Sequence, residues 1–323
     1  MFTERLHRHA KRRESGVILP KVKVDGMAMP YRTDFIDLPD TLDPEVFSLH
    51  NMGDGLISRE EGRVLTLPSA SSLYDACMRM HVIATKSPNP VHKKRYPSVR
   101  SGIIFGVGDA VHYWIQNTPT VFGNSRVGWW ECSACTRVLY FGKPPMKNCP
   151  HCDASTEAMR YKEHHMIVKP PYPMSGHPDL FLELTNGWIV IIEIKTISSA
   201  LFKALKGPDA VHEFQLLSYM FGMTKDETLP KIPKMTNKFG FVLYVSKEDT
   251  GKGNFPMRMY KVNFNSTRAD RVKKRLSEYN SGIEGYPTAI PAPKKECLAS
   301  RWGSYQAKTC PTKDACVRLH NAS

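Results

Sequence analysis

No uninterrupted apolar run in this 323-residue chain approaches the roughly 20 residues that a membrane-spanning helix needs. The first sixteen residues, MFTERLHRHAKRRESG, contain no apolar stretch of the kind a secretory signal carries. There is no Gly-x-x-x-x-Gly-Lys-(Ser/Thr) phosphate loop, so any helicase motor must come from a separate partner. Acidic residues are in deficit: 31 Asp and Glu stand against 45 Lys and Arg, a net charge of +14. These absences argue against a membrane protein and a P-loop ATPase. They predict a cytoplasmic protein whose partner is a polyanion, most simply nucleic acid. A merely soluble basic protein would carry the same charge, so charge alone does not decide.

What is present is enough apolar sequence (41%) for a sizeable core, and eight cysteines. In a chain without a secretory signal, cysteines read as metal ligands before they read as disulfides. Cys132/Cys135 and Cys149/Cys152 form two Cys-x-x-Cys pairs around a thirteen-residue connector. Four thiolates at that spacing predict a tetrahedral Zn²⁺ site of zinc-ribbon type, within an insertion at 127–156. Four protein ligands leave no open position, so the site is expected to be structural. Such a ribbon could grip DNA, hold a partner protein, or serve stability alone.

The stretch Ser175–Tyr219 carries the other signal. Asn186-Gly187 predicts a β-hairpin turn between strands at His177–Leu184 and Trp188–Thr196. Ile191, Ile192 and Ile194 are apolar toward both faces, which suits a central covered strand. Glu193 and Lys195 point the same way, because side chains alternate along a strand. Such charges are costly to desolvate without partners. A salt bridge would satisfy the Glu-Ile-Lys triplet by itself. With Asp179 just upstream, Mg²⁺ or Mn²⁺ held by carboxylates is the alternative, with Lys195 stabilising charge on a phosphate. Gln215 and Tyr219 lie one turn apart on one helix face, with His212 three residues before Gln215. His112 lies on a helix predicted over Phe105–Gln116.

In this order, His112, Gly176-His-Pro-Asp179, Glu193-Ile-Lys195 and Gln215-Leu-Leu-Ser-Tyr219 resemble the RecB-like branch of the PD-(D/E)XK nuclease superfamily. The resemblance covers about residues 69–320. It implies an α/β, restriction-endonuclease-like fold: a mixed central sheet flanked by helices. It implies His112, Asp179 and Glu193 as metal ligands and Lys195 as the catalytic lysine. Gln215 and Tyr219 would support the site or contact DNA. Cys77 together with Cys297, Cys310 and Cys316 resembles the iron–sulfur subset of that branch, to which AddB and the CRISPR adaptation nucleases belong. There four cysteines hold a 4Fe–4S cluster that ties the chain ends around the nuclease core. The chain departs from the pattern in the twelve residues between Cys297 and Cys310. Four unrelated thiols or a second zinc are the other readings.

The organisation that follows is a basic arm and irregular region (1–68), a nuclease core with iron–sulfur clamp (69–323), and the ribbon inserted at 127–156. Further expectations are a Ser-capped helix over Ser69–Thr85 and a first core strand over Tyr161–Lys169. Strands are expected at Phe239–Ser246 and Met257–Phe264, and a Ser-capped basic helix at Ser266–Tyr279. Lys93, Lys94, Arg95 and Arg100, and on the last helix Arg271, Lys273, Lys274 and Arg275, are either phosphate contacts or solvated charges. Glu163 is acidic and close in sequence, but stays off the ligand set. The expected activity is a metal-dependent deoxyribonuclease, an end-processing exonuclease of recombination, repair or replication. A stand-alone nuclease this compact would suit a bacterial or phage-infected cell. An endonuclease on the same fold and a non-catalytic DNA-binding scaffold are the alternatives.

Overall fold

The computed structural model describes residues 67–91, 99–248, 254–303, 308 and 310–322, with three short strands nearer the N-terminus. The basic arm, most of 17–68, and Lys93, Lys94 and Arg95 lie outside the described residues, as does the side chain of Arg100. In chain order the strands are β1 (Lys23–Val24), β2 (Met27–Ala28), β3 (Phe35–Asp37), β4 (Arg126–Cys132), β5 (Val138–Gly142), β6 (Met159–Lys162), β7 (Met166–Val168), β8 (Met174–Gly176), β9 (Leu180–Glu183), β10 (Ile189–Ile197), β11 (Phe239–Ser246) and β12 (Asn254–Asn263). The helices are α1 (Met78–Lys86), α2 (Val99–Asn117), α3 (Pro119–Phe122), α4 (Ser199–Ala204), α5 (Ala210–Met223), α6 (Ser266–Glu284), α7 (Lys295–Ala299) and α8 (Lys313–Asn321).

The fold is mixed α/β, and β10 is its centre. Val190, Ile191, Ile192 and Ile194 are shut off from solvent completely. Ile191 packs with Phe181, Val242, Phe214, Leu217 and Val272, which places α5 and α6 over one face. Val190, Ile192 and Ile194 pack with Leu180, Leu243 and Ile115, which places α2 over the other. A strand covered on both faces has to be apolar at every position, and this run is. Gly187 sits at φ +78° in the turn before β10, a conformation that favours glycine.

The sheet runs β3-β12-β11-β10-β9-β4-β5, with β6 also on β4. Among these pairs β10–β11 alone is parallel, and a parallel pair needs a crossover connection, here supplied by α4 and α5. β4 joins β9 through Arg126 and Val127, then continues outward to pair with β5 and β6. The four-cysteine segment is therefore rooted in the central sheet. None of the described helices is long and apolar enough to cross a membrane.

Four local expectations need correction. The helix expected over Ser69–Thr85 begins only at Met78. Ser69 and Ser72 bond each other's hydroxyls at 2.8 Å, and Ala70 N–H goes to Ser175 O at 2.9 Å. Serine side chains and a backbone partner outside the segment compete with the helix here. The strand expected over Tyr161–Lys169 is split into β6 and β7, which lie in different sheets. At the break, buried His164 accepts from Trp129 Nε1 at 3.1 Å and lies 2.5 Å from Asp226 Oδ2. The strand expected from His177 starts at Leu180, because Pro178 cannot donate to a ladder and Gly176 already pairs in β8. The basic helix α6 is capped by Asn265, whose Oδ1 accepts from Arg268 N, and not by Ser266.

Gly176 joins two of the sequence motifs. A Cβ on it would lie 2.6 Å from Tyr219 Cε1 and 3.1 Å from Ala70 Cβ. The glycine of Gly-x-x-Asp and the tyrosine of Gln-x-x-x-Tyr are thus one packing unit. Gly176→Ala is expected to destabilise the fold by about 1–3 kcal/mol through overpacking, read as a lowered melting temperature. Tyr219→Phe, which keeps the ring, should leave the close contact unchanged and lower stability less.

Candidate active site

Asp179 immediately precedes β9, and its Oδ2 accepts the Ile194 N–H of β10 at 2.6 Å. That bond fixes the carboxylate beside Glu193. Glu193 is fully buried; its Oε1 meets Lys195 Nζ at 2.5 Å, while Oε2 has no hydrogen-bond partner among the described residues. A buried carboxylate oxygen left unpaired carries the full desolvation penalty of that group.

Helix α2 brings two more groups. His112 Nδ1 lies 3.6 Å from Asp179 Oδ1. Gln116, one turn on, donates through Nε2 to Glu163 Oε1 at 2.9 Å and to Asp179 O at 2.8 Å. Arg126 secures this end of α2 by donating to the Gln116 carbonyl at 2.5 Å. The break between β6 and β7 thereby delivers Glu163 to the site. His112, Glu163 and Asp179 each offer a ligand atom within 4.8 Å of the others, a set able to hold a metal ion.

The electrostatics follow from burial. Desolvation, then the nearby Asp179 charge, push Glu193 up to about 8. Burial likewise raises Asp179 and Glu163. Burial holds His112 below its ordinary value, which favours the neutral imidazole. Burial opposes the Lys195 charge, but Glu193 and Asp179 outweigh it, and the ammonium is held above its usual range.

The sequence-predicted residues His112, Asp179, Glu193 and Lys195 lie in one region, but the group whose ligand atoms all approach within 4.8 Å is His112, Asp179 and Glu163, without Glu193. Gln215 and Tyr219 stand behind them, with Gln215 Nε2 donating to Tyr219 Oη at 3.1 Å. Burial, Glu193 and Asp179 all raise the Tyr219 phenol, so it stays protonated. The sequence expectation that Glu163 stays off the ligand set is at odds with its place beside His112 and Asp179, and Gln116 and Tyr244 were missed. Gln116 was legible as the i+4 neighbour of His112. Tyr244 is the register partner of Lys195 across β10–β11, and its hydroxyl lies 3.0 Å from His212 Nδ1. Burial and Lys195 pull His212 down to about 4.

One of the two cysteine sets forms a close group, and the other lines a pocket without one. Cys132, Cys135, Cys149 and Cys152 form a group able to hold a metal ion. Their two knuckles repeat one geometry. Thr136 and Asp153, each just past a Cys-x-x-Cys, have φ of 58° and 57°. Each donates its N–H back to the carbonyl of the first cysteine, at 2.7 and 2.9 Å. Cys77, Cys297, Cys310 and Cys316 line a single pocket with Trp302. The long Cys297–Cys310 spacing is taken up by a reversal in which Arg301 and Trp302 have positive φ and Trp302 N–H returns to Cys297 O at 2.7 Å. Of the basic helix residues, Arg275 binds the Leu73 and Ala76 carbonyls and Glu278, and Lys273 pairs with Asp270. Arg271 stacks over Phe214.

No protein-family profile matches the chain, and no curated protein is similar to it. Among solved structures, the crystal structure of SSO0001 aligns over 84% of this chain and 95% of that one, at 16% identity and a TM-score of 0.39. A likeness at that level carries no argument about fold or function.

The raised carboxyls set a pH dependence. A carboxyl with a folded pKa above its unfolded value holds its proton more tightly when folded, so its stabilisation is lost as pH rises. For Glu193 that window runs from its ordinary value of about 4.3 to about 8. His112, held low, acts in the opposite sense only below about 6.5, and Lys195 acts only above neutrality. The metal-free protein is therefore expected to lose melting temperature between about pH 6.5 and 8, and Glu193→Gln should flatten that slope. A slope equal in wild type and variant would contradict the assignment.

Proposed function

We propose that this chain is a divalent-metal-dependent DNA nuclease, acting at single-stranded or unwound ends as an exonuclease in recombination, repair or replication. One observation carries the reading: in a chain of net charge +14, a histidine and two carboxylates able to hold a metal ion stand beside the middle of the central strand, next to the Glu193–Lys195 pair and its unpartnered buried carboxylate oxygen. The motif order adds the RecB-like, restriction-endonuclease-like fold to that reading. The β9–β10 hairpin followed by a helical crossover to parallel β11 supports it.

The donor set suits Mg²⁺ or Mn²⁺, whose preferred ligands are carboxylate oxygens, with a neutral imidazole acceptable to Mn²⁺. When bound, such an ion neutralises charge on a phosphate and acidifies a coordinated water. The chain's own residues do the rest. Ile194 N–H holds Asp179 Oδ2, which turns Oδ1 toward His112. Burial keeps His112 neutral, so a ring nitrogen retains its lone pair. Lys195 engages Glu193 Oε1 and leaves Oε2 available. The Lys195 ammonium, kept charged by the carboxylates, stabilises negative charge that develops on the scissile phosphate. Glu163 adds a carboxylate that sequence reading left out.

The cysteine sites fit two further cofactors. A tetrahedron with Zn–S bonds near 2.3 Å has sulfur–sulfur edges of about 3.8 Å; the Cys132–Cys152 and Cys135–Cys149 pairs stand at 3.6 and 3.8 Å. That spacing supports Zn²⁺. Cys77, Cys297, Cys310 and Cys316 share a pocket but, among the described residues, form no comparably tight group. Wider spacing suits a 4Fe–4S cluster, where each thiolate binds a different iron. The partners of this reading are DNA and a separate helicase or recombination protein.

Asp179→Ala and Lys195→Ala are each expected to abolish cleavage of end-labelled single-stranded DNA while DNA binding persists. Undiminished cleavage by either variant would sink the assignment. Circular single-stranded DNA should resist the wild type; its opening would make the enzyme an endonuclease. Glu163→Gln is expected to weaken Mn²⁺ binding by about 10- to 100-fold, measured by calorimetry. Unchanged affinity would remove Glu163 from the site.

A further inference from the structure

Arg79 takes no part in the chemistry above, yet it is one of the most buried charges in the protein. It lies in α1, two residues after Cys77, and is only 4% exposed. Its Nε donates to Cys316 Sγ at 3.1 Å, Nη1 to Pro291 O at 3.0 Å and Nη2 to Cys316 O at 3.4 Å. These contacts bridge α1 to α8, more than 230 residues apart, since the Arg79–Cys316 separation is 237.

A guanidinium cannot shed its proton in a protein. Buried without a counter-charge it is strongly unfavourable. Among the described residues its polar partners are two backbone carbonyls and a cysteine sulfur, with no carboxylate. Among the described residues, the group placed to supply the compensating negative charge is the sulfur pocket that Cys316 shares with Cys77, Cys297 and Cys310. Lys294 and Lys313 also line that pocket, but both are partly exposed, where water and salt screen them. Arg79 is the shielded cation of the set.

We propose that Arg79 is the positioning residue and counter-charge of the cysteine pocket, setting the charge state that the pocket's iron–sulfur group can hold. This rests on the iron–sulfur reading of that pocket. One-electron reduction of a 4Fe–4S cluster with four thiolates raises its net negative charge from two to three. A fixed buried cation next to a ligand sulfur favours that added electron, and the N–H···S bond reinforces the effect. Arg79 therefore raises the reduction potential. The same contact anchors Cys316 to α1.

The test is a potentiometric titration of the anaerobically purified full chain, followed by electron paramagnetic resonance of the reduced form. Dithionite is the electron donor and is oxidised to sulfite. Iron and acid-labile sulfide are measured first in the wild type. Their absence there would overturn the iron–sulfur reading and take the inference with it, before any variant is made. With the cluster present, Arg79→Gln is expected to shift the midpoint to more negative potential at full iron content. Arg79→Lys should recover part of the shift, and Lys294→Gln should move it far less. Iron lost from Arg79→Gln but kept in Arg79→Lys also supports a charge role. An unchanged midpoint in an iron-replete Arg79→Gln protein would overturn the proposal. So would iron lost from both variants with the fold intact, which would make Arg79 a structural clamp only.

Discussion

A single hydrogen bond, Ile194 N–H to Asp179 Oδ2 at 2.6 Å, decides where the charge in this protein can sit. It pins the residue before β9 to the middle of β10, so two carboxylates face each other inside the fold. Such an arrangement is unfavourable in isolation: Glu193 has no solvent and one oxygen without a partner. Lys195 offsets one carboxylate, and burial leaves the others to be neutralised by protons or by a cation. The remaining structure holds that unstable set in place. Gln116 braces Glu163 and Asp179, Arg126 braces Gln116, and Tyr219 packs so close on Gly176 that no side chain fits there.

The sheet gives the site its position. β10 is apolar on both faces from Ile189 to Ile192; Glu193 interrupts the run while still fully buried, and Lys195 follows where the strand becomes partly exposed. The crossover that makes β10 and β11 parallel carries α5, and α5 carries Gln215 and Tyr219 to the back of the carboxylates. The helix on the opposite face supplies His112 and Gln116. Each catalytic candidate thus comes from an element whose place is fixed by burial of its own apolar neighbours. The two cysteine sets lie apart from this centre: one at the outer end of β4, the other where α1 meets the C-terminal helix.

Much of this was legible in the sequence, for physical reasons. The Asn-Gly turn and the β-branched run fix the hairpin, because turn chemistry and two-sided burial are local properties. The two Cys-x-x-Cys pairs fix their own site for the same reason. Glu163 was not legible, because it depends on a strand break made by His164 wedging between Trp129 and Asp226, a tertiary event. The Ser69–Thr85 helix failed because serine hydroxyls and the Ser175 backbone claimed the hydrogen bonds that a helix would have used. Cys297 stood out of pattern by spacing, yet a left-handed turn at Arg301 and Trp302 returns the chain to the same pocket. Arg79 carried no signal at all, since a lone arginine in a short helix reads as a surface residue.

The central claim is that the buried carboxylates exist to hold a cation that acts on phosphate. Crystals soaked with Mn²⁺ and measured at its absorption edge test this most directly. An anomalous peak is expected among His112, Asp179 and Glu193, with Glu193 Oε2 as a ligand. A peak only at surface carboxylates, with Glu193 Oε2 still unpartnered, would contradict it.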